Sequence, residues 1–298
     1  MSILVTGAFG QLGQSVIKKL KQNNMPCIAL SKQQLDITDY NALFDCFVEN
    51  KPQVVIHCAA YTDVDKAEKE RQKCFSVNMT GTQNIAKLCS RNDVKIVYIS
   101  TDYVFDGTSN RPYEVTDEPK PVNYYAKTKF EGELAIRHNT EKYFILRSGL
   151  MFGGNNNFVK SIIQKSKSNL AYYAVTDQII SPTYSDDLAD LIIEMIGTQK
   201  YGTYHASNEG SCSLFDFAKE IAELTGSKNY PKGISYNNYK TGALVPLYSV
   251  LSKASLDIGG FKRLPDYHDA LRRYIKTIEE PKPEKPQEML WRQYIKAD

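Results

Sequence analysis

The chain is expected to fold as an α/β protein, a doubly wound parallel sheet followed by a smaller C-terminal substrate-binding lobe. Three observations point there. Short apolar, β-branched runs alternate with stretches of helical spacing through the first half of the sequence. Those runs are apolar throughout rather than alternating, as strands covered on both faces are. The first of them feeds a glycine turn that opens a helix, Gly7-Ala8-Phe9-Gly10-Gln11-Leu12-Gly13, the arrangement of a Rossmann-type dinucleotide fold.

Taken in order, Ile3-Leu4-Val5-Thr6 is the opening strand, and Val16-Ile17-Lys18-Lys19-Leu20 continues the helix beyond the turn. Glycine at 7 permits a tight turn, glycine at 10 lets phosphates approach the backbone, and glycine at 13 lets helix and strand pack closely. The free N–H groups and positive dipole end of the helix then face an anion. Phe9, Gln11 and Leu12 lie in the same turn and count with Gly7, Gly10 and Gly13 as cofactor contacts. An ordinary loop is the plainer alternative, but the flanking strand and helix are the context the motif requires.

Cys27-Ile28-Ala29-Leu30 is the second strand, and ligands of such sheets sit beyond the carboxyl ends of strands. Ser31 and Lys32 follow it, with no acidic residue until Asp36. Lys32 suits a ribose 2′-phosphate, so NADPH is favoured and NADH remains possible; the alternative is a solvated lysine in a pocket that takes both. Asp36 and Ile37 are placed beside the adenine, although Asp36 could instead cap the helix that begins near Tyr40. Residues 40–50 read as that helix, with Leu43, Phe44 and Phe47 on its apolar face.

Val54-Val55-Ile56 is the third strand and ends in Cys58-Ala59-Ala60-Tyr61-Thr62. Small side chains at Ala59 and Ala60 let a cofactor lie close to the backbone, with Tyr61 beside it; tight helix–sheet packing would also explain them. Asp63, Asp65, Lys66 and Glu68 look like a solvated helix start. Residues 71–91 are helical and carry Asn78 in mid-helix, either exposed or bonded to a neighbouring strand's backbone under the cofactor. Ile96-Val97-Tyr98-Ile99 is the next strand, leading into Ser100-Thr101-Asp102-Tyr103-Val104-Phe105-Asp106-Gly107. The Thr101 hydroxyl, on the ligand edge, can hydrogen-bond a substrate carbonyl.

Asn123 can cap a helix that holds Tyr125 and Lys129. Residues four apart share a helical face, so both heads can reach one cleft. A nearby ammonium stabilises phenolate and is expected to lower the tyrosine pKa, making it a workable acid near neutrality. A second Tyr-x-x-x-Lys, at Tyr236 and Lys240, falls in an Asn-rich stretch that reads as loop. The copy at 125 is preferred because it follows the Thr101 strand within the α/β section.

Composition excludes other classes. The chain has 298 residues, 42% hydrophobic and 24% charged, as soluble globular proteins do. No apolar run approaches the ~20 residues that span a bilayer, and no signal peptide is apparent, so no membrane partner is expected and the cytoplasm is the expected compartment. A net charge of +3, with both signs interspersed, gives no basic face for nucleic acid. The six cysteines form no C-x-x-C pair and read as free thiols in a reducing compartment. The four histidines show no ligand spacing, so each reads as structural and no metal site is expected.

Together these residues resemble the extended short-chain dehydrogenase/reductases, and within them the family of 4-dehydrorhamnose nucleotide-sugar reductases. The resemblance rests on the glycine turn, on Ala59 to Glu68, on Ser100 to Gly107, on Tyr125-Ala126-Lys127-Thr128-Lys129 and on Gly154-Asn155-Asn156-Asn157-Phe158-Val159. Asp177-Gln178, Pro182-Thr183 and Gly202-Thr203-Tyr204-His205 extend it to about residue 275. It implies reduction of the 4-keto group of a nucleotide-activated deoxysugar for surface polysaccharide. By position, Tyr125 would protonate the incipient alkoxide, Lys129 would bind nicotinamide ribose and tune Tyr125, and Thr101 would hold the carbonyl. The substrate contacts it implies are Thr101, Asp102, Tyr103, Val104, Phe152, Asn157 and Gln178.

Departures from the family pattern gather where the sugar should bind. The family's Arg-Thr-Ser-Trp-Val-Tyr-Gly reads Arg147-Ser148-Gly149-Leu150-Met151-Phe152-Gly153, so an aromatic wall has become Leu150. Ile180 replaces an expected glycine, and Val245-Pro246 replaces an Arg-Pro pair, losing a diphosphate contact. A sister reductase acting on another 4-keto-6-deoxy sugar is therefore an alternative. A non-catalytic regulatory member of the family, and an epimerase or dehydratase that retains its cofactor, are others.

Residues 1–150 are expected to form the dinucleotide-binding domain, with later segments returning to it, and 151–298 the nucleotide-sugar lobe. Leu188 to Ile193 and Phe215 to Ala218 look like helices packed on core. From about 279 the chain turns charged and proline-rich, an extended linker to Met289, Leu290, Trp291 and Tyr294. Such apolar residues on a tail usually dock on their own chain or on a second copy, which leaves a homodimer open; a frayed end is the alternative.

Overall fold

The computed structural model describes residues 1–168, 170–239 and 242–279. The charged, proline-rich tail, Trp291 and Lys240 lie outside the described residues.

Strands β1 (Ile3–Thr6), β2 (Cys27–Leu30) and β3 (Val54–His57) alternate with helices α1 (Gln11–Gln22) and α2 (Tyr40–Asn50). Then come α3 (Val64–Lys69), α4 (Arg71–Phe75), a π-helical segment Ser76–Gly81 and α5 (Thr82–Arg91). Strand β4 (Lys95–Thr101), helix α6 (Tyr124–Asn139) and strand β5 (Tyr143–Ser148) complete the first half. All their sheet pairings are parallel.

Strand periodicity explains the two layers. Successive side chains point to opposite faces of a sheet. Ile3, Val5, Val54, Ile56, Val97, Phe144 and Leu146 therefore share one core with α1. Leu4, Val55, Ile96, Tyr98 and Ile145 share the other with the buried faces of α2, α5 and α6. A sheet covered on both faces needs strands without polar alternation, and that is what β1 and β3 are.

The second half interleaves with the first. Short strands β6 (Met151–Phe152), β7 (Tyr173–Val175), β8 (Ile179–Ile180) and β9 (Thr183–Tyr184) surround helix α7 (Phe158–Ser166). Helix α8 (Ser185–Ile196) then returns to the first face, where Leu188, Ile192 and Met195 join the core behind α1. Ser15 Oγ lies 2.8 Å from Ser185 Oγ and donates to Asp186 Oδ1 at 2.6 Å, while Lys18 and Lys19 pair with Asp186 and Asp190. Strand β10 (Gly202–His205) adds parallel to β5 and closes the six-stranded order β10-β5-β4-β3-β1-β2.

The remaining elements are β11 (Asn208–Glu209), β12 (Cys212–Ser213), α9 (Leu214–Leu224), β13 (Lys232–Ile234), α10 (Ala254–Gly259), β14 (Leu264–Asp266) and α11 (Tyr267–Glu279). Phe152, Ile162, Tyr184, Phe217, Ile221, Tyr267, Leu271 and Tyr274 form the separate core of this lobe. Among the described residues no helix is long and apolar enough to cross a membrane.

Gly13 is where α1 packs on the turn that leaves β1. A Cβ there would run into the carbonyl oxygen of Gly7 and the backbone of Ala8. Gly7 has φ +64°, and a Cβ on it would lie 2.5 Å from the amide nitrogen of Ala59. Gly13→Ala is expected to cost about 1–3 kcal/mol, since backbone has to move to admit one methyl. Urea titration of the variant checks this, and an unchanged midpoint would contradict the close packing.

Candidate active site

A cleft of about 810 Å³ lies past the carboxyl ends of β1, β2, β3, β4 and β5. Its first wall is the glycine turn: Gly7, Phe9, Gly10, Gln11 and Leu12 all line it. No side chain caps α1 at Gly10, and no acidic residue sits in its first turn. The first N–H groups of α1 and its positive dipole end are therefore free to meet an anion. Gln11 Nε2 is buried with no hydrogen-bond partner among the described residues. These features fit the pyrophosphate of a dinucleotide. Ser31, Lys32, Asp36 and Ile37 follow along the cleft, and Ala59 and Ala60 form its floor after β3. Asp36 does not cap α2. That cap is Asp39, while Asp36 Oδ1 accepts from the backbone and hydroxyl of Thr38.

The other end of the cleft carries Thr101, Asp102, Tyr103, Tyr125 and Lys129. Asn123 fixes the start of α6: its Oδ1 accepts from Ala126 N at 2.8 Å and its Nδ2 donates to the Leu244 carbonyl. The Tyr124 backbone N–H adds a bond to Glu68 Oε1 at 2.7 Å. One turn along, Lys129 is buried, with Nζ 4.0 Å from the centre of the Tyr98 ring. The Tyr98 hydroxyl donates to the Lys129 carbonyl, which pins this turn of α6 to β4.

Asn78 stands beneath this assembly rather than in it. The π-helical segment, a wider turn often found at functional sites, aims it inward. There Oδ1 accepts from Tyr61 N at 2.8 Å, and Nδ2 donates to the Tyr61 carbonyl and to Thr128 Oγ1. It ties the loop after β3 to α6: of the two readings of its mid-helix position, the buried one bonded to backbone just past a strand is the one the structure has, and its role is to position that loop. The Tyr61 ring is likewise outside the cleft, 5.7 Å from Lys73 Nζ. Gly13 is a packing position only.

Burial sets the charges. Enclosure pushes the Tyr125 phenol well above the ordinary tyrosine range, opposed by the polar Thr101 side chain beside it and reinforced by Asp102. Lys129 is pushed down to about 7, again chiefly by burial, with Glu133 pulling the other way. The expectation that the ammonium lowers the phenol is therefore corrected: loss of water around the phenolate outweighs any help from Lys129. Tyr125 stays protonated through neutral pH, the form a proton donor needs. Asp102 Oδ1 accepts from the Thr101 hydroxyl at 3.1 Å, and burial raises its carboxyl to about 7.

Several expected substrate contacts are core or scaffold. Val104 is fully buried with Phe105, Tyr113 and Leu251. Phe152 is fully buried, stacked on Tyr184 with ring centres 5.3 Å apart. A two-residue strand turns that ring toward the lobe core instead of the cleft. Asn157 caps α7 through Lys160 N and donates to Gly153 O and to the Tyr274 hydroxyl. Gln178 is buried, and its Nε2 donates to the Tyr103 hydroxyl, so it reaches the cleft only through Tyr103.

Ser148, Gly149, Leu150, Met151, Asn155 and Asn156 line the cleft as well, the loop at Gly154 lying against Gln11 of the glycine turn. The run Tyr143-Phe144-Ile145-Leu146 marks β5 as plainly as the other strands are marked, and the strand-end rule applied to it points to Ser148 and Gly149. Asn155 and Asn156 sit beside Asn157 in the same motif.

His57 lies between the Thr6 and Thr82 hydroxyls, and burial holds it neutral, down to about 3. All six cysteines are free, and the described residues contain no group of three or more His, Cys, Asp or Glu placed to hold a metal ion.

Comparison with known proteins agrees with this geometry. The family model described as RmlD substrate binding domain matches residues 1–280. The spore coat polysaccharide biosynthesis protein SpsK of Bacillus subtilis (strain 168) is 36% identical over 275 residues, 92% of this chain and 96% of that protein. A dTDP-4-dehydrorhamnose reductase of Aggregatibacter actinomycetemcomitans is 39% identical over 252 residues, 82% of this chain and 86% of the relative. Among solved structures, the dTDP-4-dehydrorhamnose reductase of Bacillus anthracis in complex with NADP superposes with a TM-score of 0.90 at 38% identity, covering 93% of this chain and 99% of that one. With the glycine turn, Thr101, Tyr125 and Lys129 gathered on one cleft, the chain belongs to the dTDP-4-dehydrorhamnose reductase family of extended short-chain dehydrogenase/reductases.

Proposed function

We propose that this chain is an NADPH-dependent reductase of the 4-keto group of a nucleotide-activated deoxysugar, with dTDP-4-dehydrorhamnose as substrate and dTDP-rhamnose as product, serving surface polysaccharide synthesis. The observation that carries the reading is that Tyr125 and Lys129, one turn apart on α6, face the same cleft as Thr101 and the glycine turn. The relatives' names and the NADP bound to the Bacillus anthracis protein support substrate and cofactor. When bound, the nicotinamide would supply the hydride.

The chain's own residues do the rest. The Thr101 hydroxyl holds the carbonyl oxygen, and the Tyr125 hydroxyl delivers its proton to that oxygen as negative charge develops there. Lys129 holds the nicotinamide ribose and offsets negative charge nearby. The six free cysteines support a reducing compartment, the cytoplasm, as its place of work. A second reading, reduction of a different 4-keto-6-deoxy sugar, draws on one feature: Leu150 lines the cleft at a position where the family carries tryptophan.

Mixing the protein and NADPH with a panel of 4-keto nucleotide sugars, while following loss of the reduced-nicotinamide absorbance, tests both. Turnover of dTDP-4-dehydrorhamnose above the others supports the first reading, and preference for another sugar supports the second. No turnover of any would overturn both. Lys32→Ala is expected to raise KM for NADPH by roughly 3–10-fold and to leave KM for NADH nearly unchanged, since only one cofactor carries the 2′-phosphate. Steady-state kinetics with each cofactor checks it, and equal losses would remove Lys32 from cofactor choice.

A further inference from the structure

The cleft does not end beside Ile37. A second hollow of about 580 Å³ adjoins it, sharing Lys32, Asp36 and Val77, and its far wall is Lys69 to Lys73 where α3 meets α4. Four cations face this hollow: Lys32, Lys69, Arg71 and Lys73. Two are already neutralised. Arg71 Nη2 donates to Glu68 Oε2 at 2.8 Å, and Lys73 Nζ to Glu70 Oε2 at 2.8 Å.

Lys32 and Lys69 differ. Among the described residues neither has a carboxylate within ion-pair distance, although both are exposed. Asp36 lines the same hollow and feels the Lys32 charge from beyond ion-pair distance, but its Oδ1 is already bonded to the backbone and hydroxyl of Thr38. Exposed ammonium groups on four-carbon stems are point charges that can converge on one anion without disturbing the fold. Two without an ion pair on a common hollow, at the adenosine end of a dinucleotide cleft, suit a doubly charged group better than a hydroxyl.

We propose that Lys69 and Lys32 together form a phosphate-monoester subsite for the 2′-phosphate of NADPH, with Lys69 the second determinant of cofactor choice. The sequence reading places only Lys32 there, because Lys69 is 37 positions away and comes to the hollow from α3, on the far side of β3. The assignment rests on the reading of the cleft as a dinucleotide site.

The test is calorimetric titration of the full-length protein, without substrate, with 2′,5′-ADP and with 5′-ADP. Lys69→Ala is expected to weaken 2′,5′-ADP by roughly 3–10-fold and to leave 5′-ADP unchanged, and the charge reversal Lys69→Glu to weaken it further. Lys32→Ala combined with Lys69→Ala should bring the two nucleotides to similar affinity. Higher salt should shrink the preference of the unaltered protein. If Lys69→Ala leaves 2′,5′-ADP untouched, or weakens both nucleotides equally, the subsite is overturned while the cleft reading stands. If the unaltered protein binds neither nucleotide, the cleft reading fails and the subsite with it. Inorganic phosphate serves as the third titrant; its loss in Lys69→Ala, with 2′,5′-ADP unaffected, would mean a separate anion site and would also overturn the proposal.

Discussion

Tyr125→Phe should lower turnover by about 10²–10⁴-fold and leave cofactor affinity nearly unchanged. The substitution removes one oxygen from a half-buried ring that lines the cleft and alters no backbone bond of α6. Loss confined to kcat is the signature of a group acting in the transition state rather than in binding. The charge state strengthens the expectation. Enclosure holds the phenol protonated across neutral pH, so the donor is loaded before substrate arrives. Burial pushes Lys129 down to about 7, so it is a cation only part of the time at neutral pH, and its proposed hold on the ribose is a separate task. Thr101→Val, by comparison, should raise KM as well as lower kcat, because in the proposed reaction its hydroxyl holds the carbonyl before the proton moves. Steady-state kinetics with fluorescence titration of NADPH separates the two. If Tyr125→Phe loses cofactor affinity and keeps its turnover, the phenol is not the proton donor.

What could be read from the residues follows from how local each signal is. The glycine turn, the apolar strands and Tyr125-x-x-x-Lys129 depend on neighbours within seven positions, and each stands where the spacing puts it. Asn78 could not be resolved that way. Its inward aim comes from a π-helical segment whose wider turn breaks the usual spacing, and its partners Tyr61 and Thr128 are 17 and 50 positions away. Phe152 and Val104 sit in motifs shared with reductases, but a motif reports sequence neighbours and not which way a ring turns. Gln178 and Asn157 serve the site at one remove, through Tyr103 and through the start of α7. The return of α8 and β10 to the large sheet involves pairings of about 170 and 60 positions, beyond any periodicity in a single segment.

The largest stability effect is expected at a residue that neither motif nor periodicity singles out. Glu133, one turn beyond Lys129 on α6, is fully buried. Its Oε1 accepts from Ser100 Oγ at 2.6 Å and from Arg147 Nε at 2.9 Å, and its Oε2 accepts from Arg147 Nη2 at 2.7 Å and Arg137 Nη2 at 3.1 Å. Arg147, on β5, is 1% exposed, with its guanidinium 5.2 Å from the centre of the Phe105 ring. Arg137 is about a third exposed and can turn to water when its partner is lost; Arg147 has no such route. Glu133→Gln therefore leaves a guanidinium buried without an anion, and the cost should be about 3–5 kcal/mol. Urea unfolding should show a lower midpoint with an unchanged slope, since the surface exposed on unfolding stays the same. Glu133→Leu combined with Arg147→Met should recover most of that loss, because a paired buried charge replaced by apolar groups of similar volume is often neutral. The same carboxylate opposes the burial that drives Lys129 down, so the double variant should be stable yet carry a lysine shifted further toward its neutral form. Stability recovered without activity would then separate the structural role of this pair from its electrostatic reach into the cleft. A single variant that loses less than about 1 kcal/mol would show that Arg147 finds another partner, and the pair would not be what fixes α6 against β5.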